Sequence, residues 1–210
     1  MITLLDLPAD ARVLLVLGHG AGAGMHHPFM ADMAAALAER GVGVLRYEFP
    51  YMEQGRMRVD PPAVATARVR EAVAEAARRA SGLPLLAGGK SFGGRMTSTA
   101  QAESPLPGVW GLVFLGFPLH APKRPSLTRA THLDSVRIPM LFLQGTRDDL
   151  ADLALIREVC GGLGPRAHLH VVEGGDHSFR VPKRTGRGAA EVIEELAGTI
   201  ARWNDGLGDA

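Results

Sequence analysis

Short apolar runs alternate with longer amphipathic segments along the chain, and this alternation constrains the fold more than any other feature. Runs rich in Val, Leu, Ile and Phe predict buried strands at 13–17, 42–49, 83–87, 109–117, 139–144 and 168–172. Helical periodicity is found at 28–40, 61–80, 92–102, 150–160 and 189–203. Strands separated by helices form right-handed βαβ units, so the sequence predicts an α/β fold with a mostly parallel sheet and helices on both faces.

Length and charge exclude several classes of protein. A chain of 210 residues fits a single domain over 1–210. Its 23 Lys and Arg against 22 Asp and Glu give no electrostatic reason to expect a nucleic-acid or membrane partner. The lone Cys160 cannot form an intrachain disulfide. Because neither a signal peptide nor a bilayer-length apolar run is present, we expect a cytoplasmic monomer or homodimer.

A predicted strand-to-helix turn carries a candidate nucleophile. The segment 89–93 reads Gly-Lys-Ser-Phe-Gly, follows the apolar run 83–87 and opens a helical segment. This is the context that a nucleophile elbow needs, with Ser91 at a helix N-terminus where a developing negative charge is favoured. A plain glycine-rich turn is the alternative. A phosphate loop is excluded because its first glycine would fall on Pro84.

A serine nucleophile needs a base and an orienting acid, and both follow later strands in the order usual for such enzymes. Asp148 comes after the strand 139–144, with Asp149 as a second candidate for the acid. His177 comes after the strand 168–172, at the end of a glycine-rich approach. Carboxyl ends of parallel strands share one edge of a sheet, so we expect Ser91, Asp148 and His177 to meet there.

The glycine-rich segment 18–24 after the first predicted strand is a candidate oxyanion loop. A tetrahedral intermediate needs two N–H donors, and we expect one from Phe92 and the other from Ala21 or Gly22. The same segment imitates a dinucleotide-binding fingerprint. However, the helix begins near Pro28 rather than on the glycines, so no helix N-terminus would meet a pyrophosphate.

Metal binding is not expected from this sequence. The adjacent His26 and His27 point apart, and no carboxylate or cysteine stands at ligand spacing from them. We predict no metal and no cofactor.

Six blocks of sequence together resemble one family. They are Gly-His-Gly-Ala-Gly-Ala-Gly-Met at 18–25, Glu-Phe-Pro-Tyr-Met at 48–52, Gly-Gly-Lys-Ser-Phe-Gly-Gly-Arg at 88–95, Gly-Phe-Pro-Leu-His at 116–120, Gln-Gly-Thr-Arg-Asp at 144–148 and Gly-Asp-His at 175–177. The chain resembles the compact bacterial α/β-hydrolases related to dienelactone hydrolases and to the testis-expressed hydrolase-like proteins. The resemblance implies an α/β-hydrolase fold with Ser91, Asp148 and His177 as triad. It implies no substrate, and dienelactone hydrolases in the narrow sense use a cysteine nucleophile.

These observations predict a serine hydrolase that cleaves small carboxylic esters or thioesters through an acyl-enzyme. The segment 118–130 has room only for a loop, which predicts an open site without a lid domain. We expect four further residues in or near the motifs to contact the substrate: His19, Met25, Lys90 and His120. An acyltransferase or thioesterase with the same triad stays open, as does an inactive interaction domain that kept the fold.

Overall fold

A computed structural model describes residues 1–208. Seven strands form a single sheet: β1 (Thr3–Asp6), β2 (Val13–Gly18), β3 (Val42–Tyr47), β4 (Leu85–Lys90), β5 (Val109–Leu115), β6 (Met140–Gly145) and β7 (Ala167–Val172). Their order across the sheet is β1-β3-β2-β4-β5-β6-β7. Only β1 runs antiparallel to its neighbour, and every other pair is parallel. The predicted mostly parallel α/β architecture is confirmed.

Six α-helices connect or follow the strands: α1 (Pro28–Ala38), α2 (Pro50–Glu53), α3 (Pro62–Arg79), α4 (Phe92–Glu103), α5 (Leu153–Leu163) and α6 (Ala189–Leu207). Short 3-10 turns occupy Thr128–Ser135, Gly164–Arg166 and Lys183–Thr185. Helices α1 and α6 cover one face of the sheet, and α3, α4 and α5 cover the other. Among residues 1–208, no helix is long and apolar enough to cross a membrane.

The parallel strands are buried on both faces, which explains their near-continuous apolar sequences. Along β2, Leu14 and Val16 pack against the layer of α3 and α4. The alternate residues Leu15 and Leu17 pack against α1 and α6. Successive side chains of a strand point to opposite faces, so one six-residue strand contributes to both halves of the core.

The observed boundaries differ from the predicted ones in three informative places. Strand β1 was not predicted, because its four half-buried residues lie at the sheet edge and lack a long apolar run. Strand β4 begins and ends later than the predicted 83–87 and contains Gly88 and Gly89. Helix α5 begins at Leu153 rather than near residue 150, because Asp152 caps it by accepting the amide hydrogen of Ala154.

Glycines in β4 allow the central strands to approach closely. A Cβ atom at Gly88 would lie 1.9 Å from the carbonyl oxygen of Val113 on β5. The predicted strand ended before these two glycines, a residue type that is disfavoured in strand interiors. Close backbone approach is the physical reason that they occur here.

The segment between β5 and β6 contains a loop and the 3-10 turn Thr128–Ser135, with no α-helix. The prediction that the fold lacks a lid domain is therefore confirmed for the part of the chain that the structure describes.

Alanine at Gly88 and at Gly161 should have opposite effects on stability. Gly161 lies exposed inside α5 with nothing within 4 Å of an added Cβ, so Gly161→Ala should stabilise the protein by about 0.5–1 kcal/mol. Gly88→Ala forces β4 away from β5 and should cost roughly 3 kcal/mol or prevent folding. Urea unfolding followed by tryptophan fluorescence measures both. A Gly88→Ala variant as stable as the wild type would contradict the close strand contact.

Candidate active site

The structure brings Ser91, Asp148 and His177 together at the carboxyl edge of the sheet. The Nε2 atom of His177 lies 2.8 Å from Ser91 Oγ, and its Nδ1 atom lies 2.7 Å from Asp148 Oδ2. A carboxylate only accepts hydrogen bonds, so Nδ1 carries the proton and Nε2 can accept from the serine hydroxyl. These contacts have the geometry of a nucleophile, a base and an orienting acid.

Ser91 occupies a strained turn between β4 and α4. Its φ angle is +50°, in the left-handed region that non-glycine residues rarely adopt. Flanking glycines permit the turn, since a Cβ at Gly89 or Gly93 would lie within 2.5 Å of the Gly18 carbonyl oxygen. The Ser91 side chain does not cap α4. Its hydroxyl therefore remains available to His177.

Contact between the loops after β6 and β7 positions Asp148 and His177. A Cβ at Gly145 would lie 2.2 Å from the carbonyl oxygen of Gly175, so the two backbones touch. The Arg147 amide donates a hydrogen bond of 2.8 Å to the same carbonyl. This contact holds Asp148 and His177 on adjoining loops at hydrogen-bonding distance.

Asp148 is buried, and two neighbouring residues donate hydrogen bonds to its carboxylate in addition to His177. Gln144 Nε2 donates to Oδ2, and the Leu150 amide donates to Oδ1 at 2.8 Å. The neighbouring Asp149 is exposed. The geometry therefore favours Asp148 as the orienting acid. Sequence reasoning missed Gln144, although an amide at the end of an apolar strand was a usable signal.

The turn that carries His177 is held by its neighbour Asp176. The Asp176 Oδ1 atom accepts hydrogen bonds from the amides of Ser178 and Arg180, at 2.8 and 2.9 Å. Phe179 follows with a φ angle of +60° and is 97% buried. Such a conformation is unusual for a bulky residue and persists only where the surroundings impose it.

Two side chains orient the peptide groups of the loop 18–24. His19 Nδ1 lies 2.8 Å from the Gly20 carbonyl oxygen and donates to it, and the Tyr51 hydroxyl donates to the Ala21 carbonyl oxygen at 2.9 Å. In a trans peptide the N–H points opposite to the C=O. The amides of Ala21 and Gly22 are therefore directed away from His19 and Tyr51. Ala21 and Gly22 both line the cavity that contains Ser91.

The Phe92 amide is the first of α4 and directly follows Ser91. Within residues 1–208 no acceptor bonds to it, as is usual for the first amides of a helix. The helix dipole favours negative charge at this end. Phe92, Ala21 and Gly22 all remain candidates for the oxyanion donors.

The structure does not place His19 or Met25 where a substrate could touch them. His19 is completely buried, and its Nε2 atom accepts the Phe49 amide hydrogen at 3.1 Å. Met25 is 98% buried, and its amide donates to Glu48 Oε1. Burial lowers the pKa of His19, although the Gly20 carbonyl and Glu48 favour its charged form. Neither residue is among those that line the cavity containing Ser91.

His120 and Lys90 also differ from the simple expectation of substrate contact. His120 is buried and accepts the Asp152 amide hydrogen at its Nε2 atom, away from the cavity. Lys90 does line the cavity, but its ammonium donates to the carbonyl oxygen of His177 at 2.6 Å. Burial lowers the pKa of Lys90 to about 8, although Asp148 and Asp176 favour the charged form. Lys90 thus connects the turn at Ser91 to the turn that carries His177.

A second serine–histidine contact lies elsewhere and has a different character. Ser98 Oγ is 2.8 Å from His132 Nε2, but Ser98 has no exposed surface. Its hydroxyl donates to the Arg95 carbonyl, so the histidine donates to the serine instead of accepting its proton. This pair lacks the arrangement of a nucleophile and base.

Similarity to known proteins agrees with this fold. A family model described as an alpha/beta hydrolase domain matches residues 11–205. The chain therefore belongs to this family of α/β-hydrolases, as the resemblance of its motifs implied.

Solved structures with the same fold include several hydrolases. Dienelactone hydrolase from Anabaena variabilis is 20% identical with a TM-score of 0.76, over 96% of this chain and 89% of that one. An α/β serine hydrolase without a lid from Xanthomonas campestris is 21% identical with a TM-score of 0.74, over 96% and 88%. A monoacylglycerol lipase from Paleococcus ferrophilus is 15% identical with a TM-score of 0.71, over 97% and 98%. At these identities the likeness establishes the fold alone.

The shifted pKa of Lys90 can be measured directly. Lys90, Lys123 and Lys183 are the lysines of this chain, so a protein labelled with ¹³C-lysine gives a simple spectrum. The Cε signal of Lys90 should titrate near pH 8, because burial disfavours its ammonium form. Lys90→Met assigns the signal, and the exposed Lys123 and Lys183 serve as references. Titration of Lys90 together with these two would contradict the buried environment.

Proposed function

We propose that this chain is a serine hydrolase that cleaves small carboxylic esters or thioesters through an acyl-enzyme on Ser91. The observation that supports this most strongly is the continuous series of contacts from Ser91 Oγ through His177 to Asp148. Three residues from three separate loops have this geometry, and Ser91 faces a cavity. The names of similar structures, including a dienelactone hydrolase and a monoacylglycerol lipase, agree with an ester substrate.

In the proposed reaction, Ser91 Oγ attacks the carbonyl carbon of the ester while its proton moves to His177 Nε2. Asp148 stabilises the imidazolium that forms and keeps the ring in the required tautomer. The intermediate collapses, the carbon–oxygen bond to the alcohol breaks, and His177 protonates the leaving oxygen. Water then attacks the acyl-enzyme with His177 again as base, which releases the acid and restores Ser91.

Charge on the tetrahedral intermediate is stabilised by amides that are already oriented. The Phe92 amide supplies one donor and the amide of Ala21 or Gly22 supplies the other, as the directions of the flanking carbonyls favour. Because Tyr51 and His19 hold this loop, little reorganisation is needed when the charge develops. We assign these two side chains a positioning role.

Replacing Ser91 tests the function directly. Ser91→Ala should lower kcat/KM for p-nitrophenyl acetate and butyrate by about 10⁴-fold or more, and should abolish labelling by a fluorophosphonate. Ser98→Ala is the matched control, since this serine also contacts a histidine but is buried outside the site, and it should retain both activities.

The other outcomes of that experiment are equally informative. Labelling without turnover would keep the nucleophile and direct attention to a narrower acyl substrate or an acyltransferase. A folded wild type that neither reacts with the probe nor turns over any ester would contradict the proposal and favour an inactive interaction domain.

Substitution of each of the adjacent residues Asp148 and Asp149 by asparagine distinguishes the proposed role of Asp148 as orienting acid from a general effect of losing a negative charge. Asp148→Asn places an amide against Nδ1 of His177, which stabilises the wrong tautomer, and kcat/KM should fall by about 10³- to 10⁴-fold. Asp149→Asn removes the same charge from an exposed neighbour and should change kcat/KM by less than about threefold. Steady-state kinetics with p-nitrophenyl butyrate measure both. Equal losses would mean that Asp148 does not orient the base.

A further inference from the structure

A cavity of about 490 Å³ extends from Ser91 and His177 between the first turns of α1 and α6. Met30 contributes to its wall from α1, and Val192 and Ile193 contribute from α6. Its volume is within the range of pockets that bind small molecules, and most of its surface is apolar. The proposed ester hydrolysis uses only the end of this cavity near Ser91.

Two aromatic rings line the cavity beside the catalytic groups. Phe29 and Phe179 stack with ring centroids 5.9 Å apart and planes inclined by 9°. Phe179, which has the unusual positive φ angle, lies two residues after His177. The Lys90 ammonium lies 5.6 Å from the centroid of the Phe179 ring. The rings thus form an apolar wall beside the turn that carries His177.

Charged groups near the cavity other than Lys90 are Asp32 and Arg180, which have opposite signs. Both are exposed, so they remain solvated at the surface. The region between α1 and α6 therefore favours a neutral, apolar group over an ionised one. A chain that enters it replaces water on carbon surfaces, which stabilises binding in proportion to the area covered.

We propose that this cavity binds an unbranched apolar chain of the substrate, so that the enzyme prefers esters with a medium-length alkyl chain. The inference rests on the proposed function and specifies which ester that function acts on. The chain runs from Ser91 past the Phe29–Phe179 pair toward Ala189 at the start of α6. Either the acyl or the alcohol part of the ester can supply it, and the test separates the two.

A matched pair of substitutions tests the occupancy of the cavity. Ala189 and Ala190 are adjacent, exposed and in the first turn of α6, but only Ala189 lines the cavity. In the wild type, kcat/KM should rise about two- to fourfold for each methylene added from p-nitrophenyl acetate to octanoate. Ala189→Trp should reduce this rise, so that kcat/KM for the octanoate falls by at least about tenfold, and Ala190→Trp should preserve it.

A second substrate series identifies the part of the ester that occupies the cavity. Ethyl, butyl and hexyl acetates, followed by pH-stat titration, vary the alcohol at constant acyl group. Chain-length preference that depends on Ala189 in either series supports the proposal and assigns the cavity to that part. If Ala189→Trp leaves the dependence of kcat/KM on chain length unchanged in both series, the proposal is overturned. Since Ser91-dependent acetate turnover would persist in that case, the proposed function would stand.

Binding can be followed without any chemistry. Octan-1-ol added to Ser91→Ala should shift the methyl signals of Val192 and Ile193 in ¹H–¹³C spectra, because both side chains line the cavity. The same addition to Ser91→Ala/Ala189→Trp should leave them unchanged. Absence of shifts in the single variant at the solubility limit of the alcohol would also overturn the proposal.

Discussion

The contact between the backbones of Gly145 and Gly175 is the constraint on which the rest of the site depends. Strands β6 and β7 are neighbours in parallel register, but pairing alone leaves the loops beyond them free to diverge. A side chain at Gly145 would collide with the Gly175 carbonyl, so glycine allows the loops to touch. That contact places His177 Nδ1 2.7 Å from Asp148 Oδ2, and in this position the other ring nitrogen of His177 reaches Ser91 Oγ.

Backbone segments also approach each other closely on the other side of Ser91. Gly18, Gly89 and Gly93 bring β2, β4 and the first turn of α4 together, and a Cβ at Gly93 would lie 2.4 Å from the Gly18 carbonyl oxygen. The strained turn at Ser91 is supported by these contacts, which hold its unusual φ angle. Buried polar groups then orient the adjoining loop, with His19 and Tyr51 binding its carbonyl oxygens. Function in this region rests on backbone packing more than on exposed side chains.

Residues near the motifs show where reasoning from the sequence succeeds and where it stops. Ser91, Asp148 and His177 could be selected because strand ends, glycine turns and chain order are local features of the sequence. The burial of His19, Met25 and His120 could not be predicted, because the direction of a loop side chain depends on neighbours distant in sequence. His19, for example, bonds the amide of Phe49, thirty residues away. Gln144 was missed although its partner Asp148 lies only four residues further along the chain.

The sequence by itself determined the class of fold, the order of strands β2 to β7 and of five of the six helices along the chain, and the three residues that meet at the sheet edge. Hydrophobic periodicity and glycine placement carry that information because they act within a few residues. The antiparallel edge strand β1, the length of β4 and the cavity between α1 and α6 were decided only by the tertiary structure. Each depends on packing between segments far apart in the chain, and a strand at the edge of a sheet or the space between two helices exists only once those segments have come together.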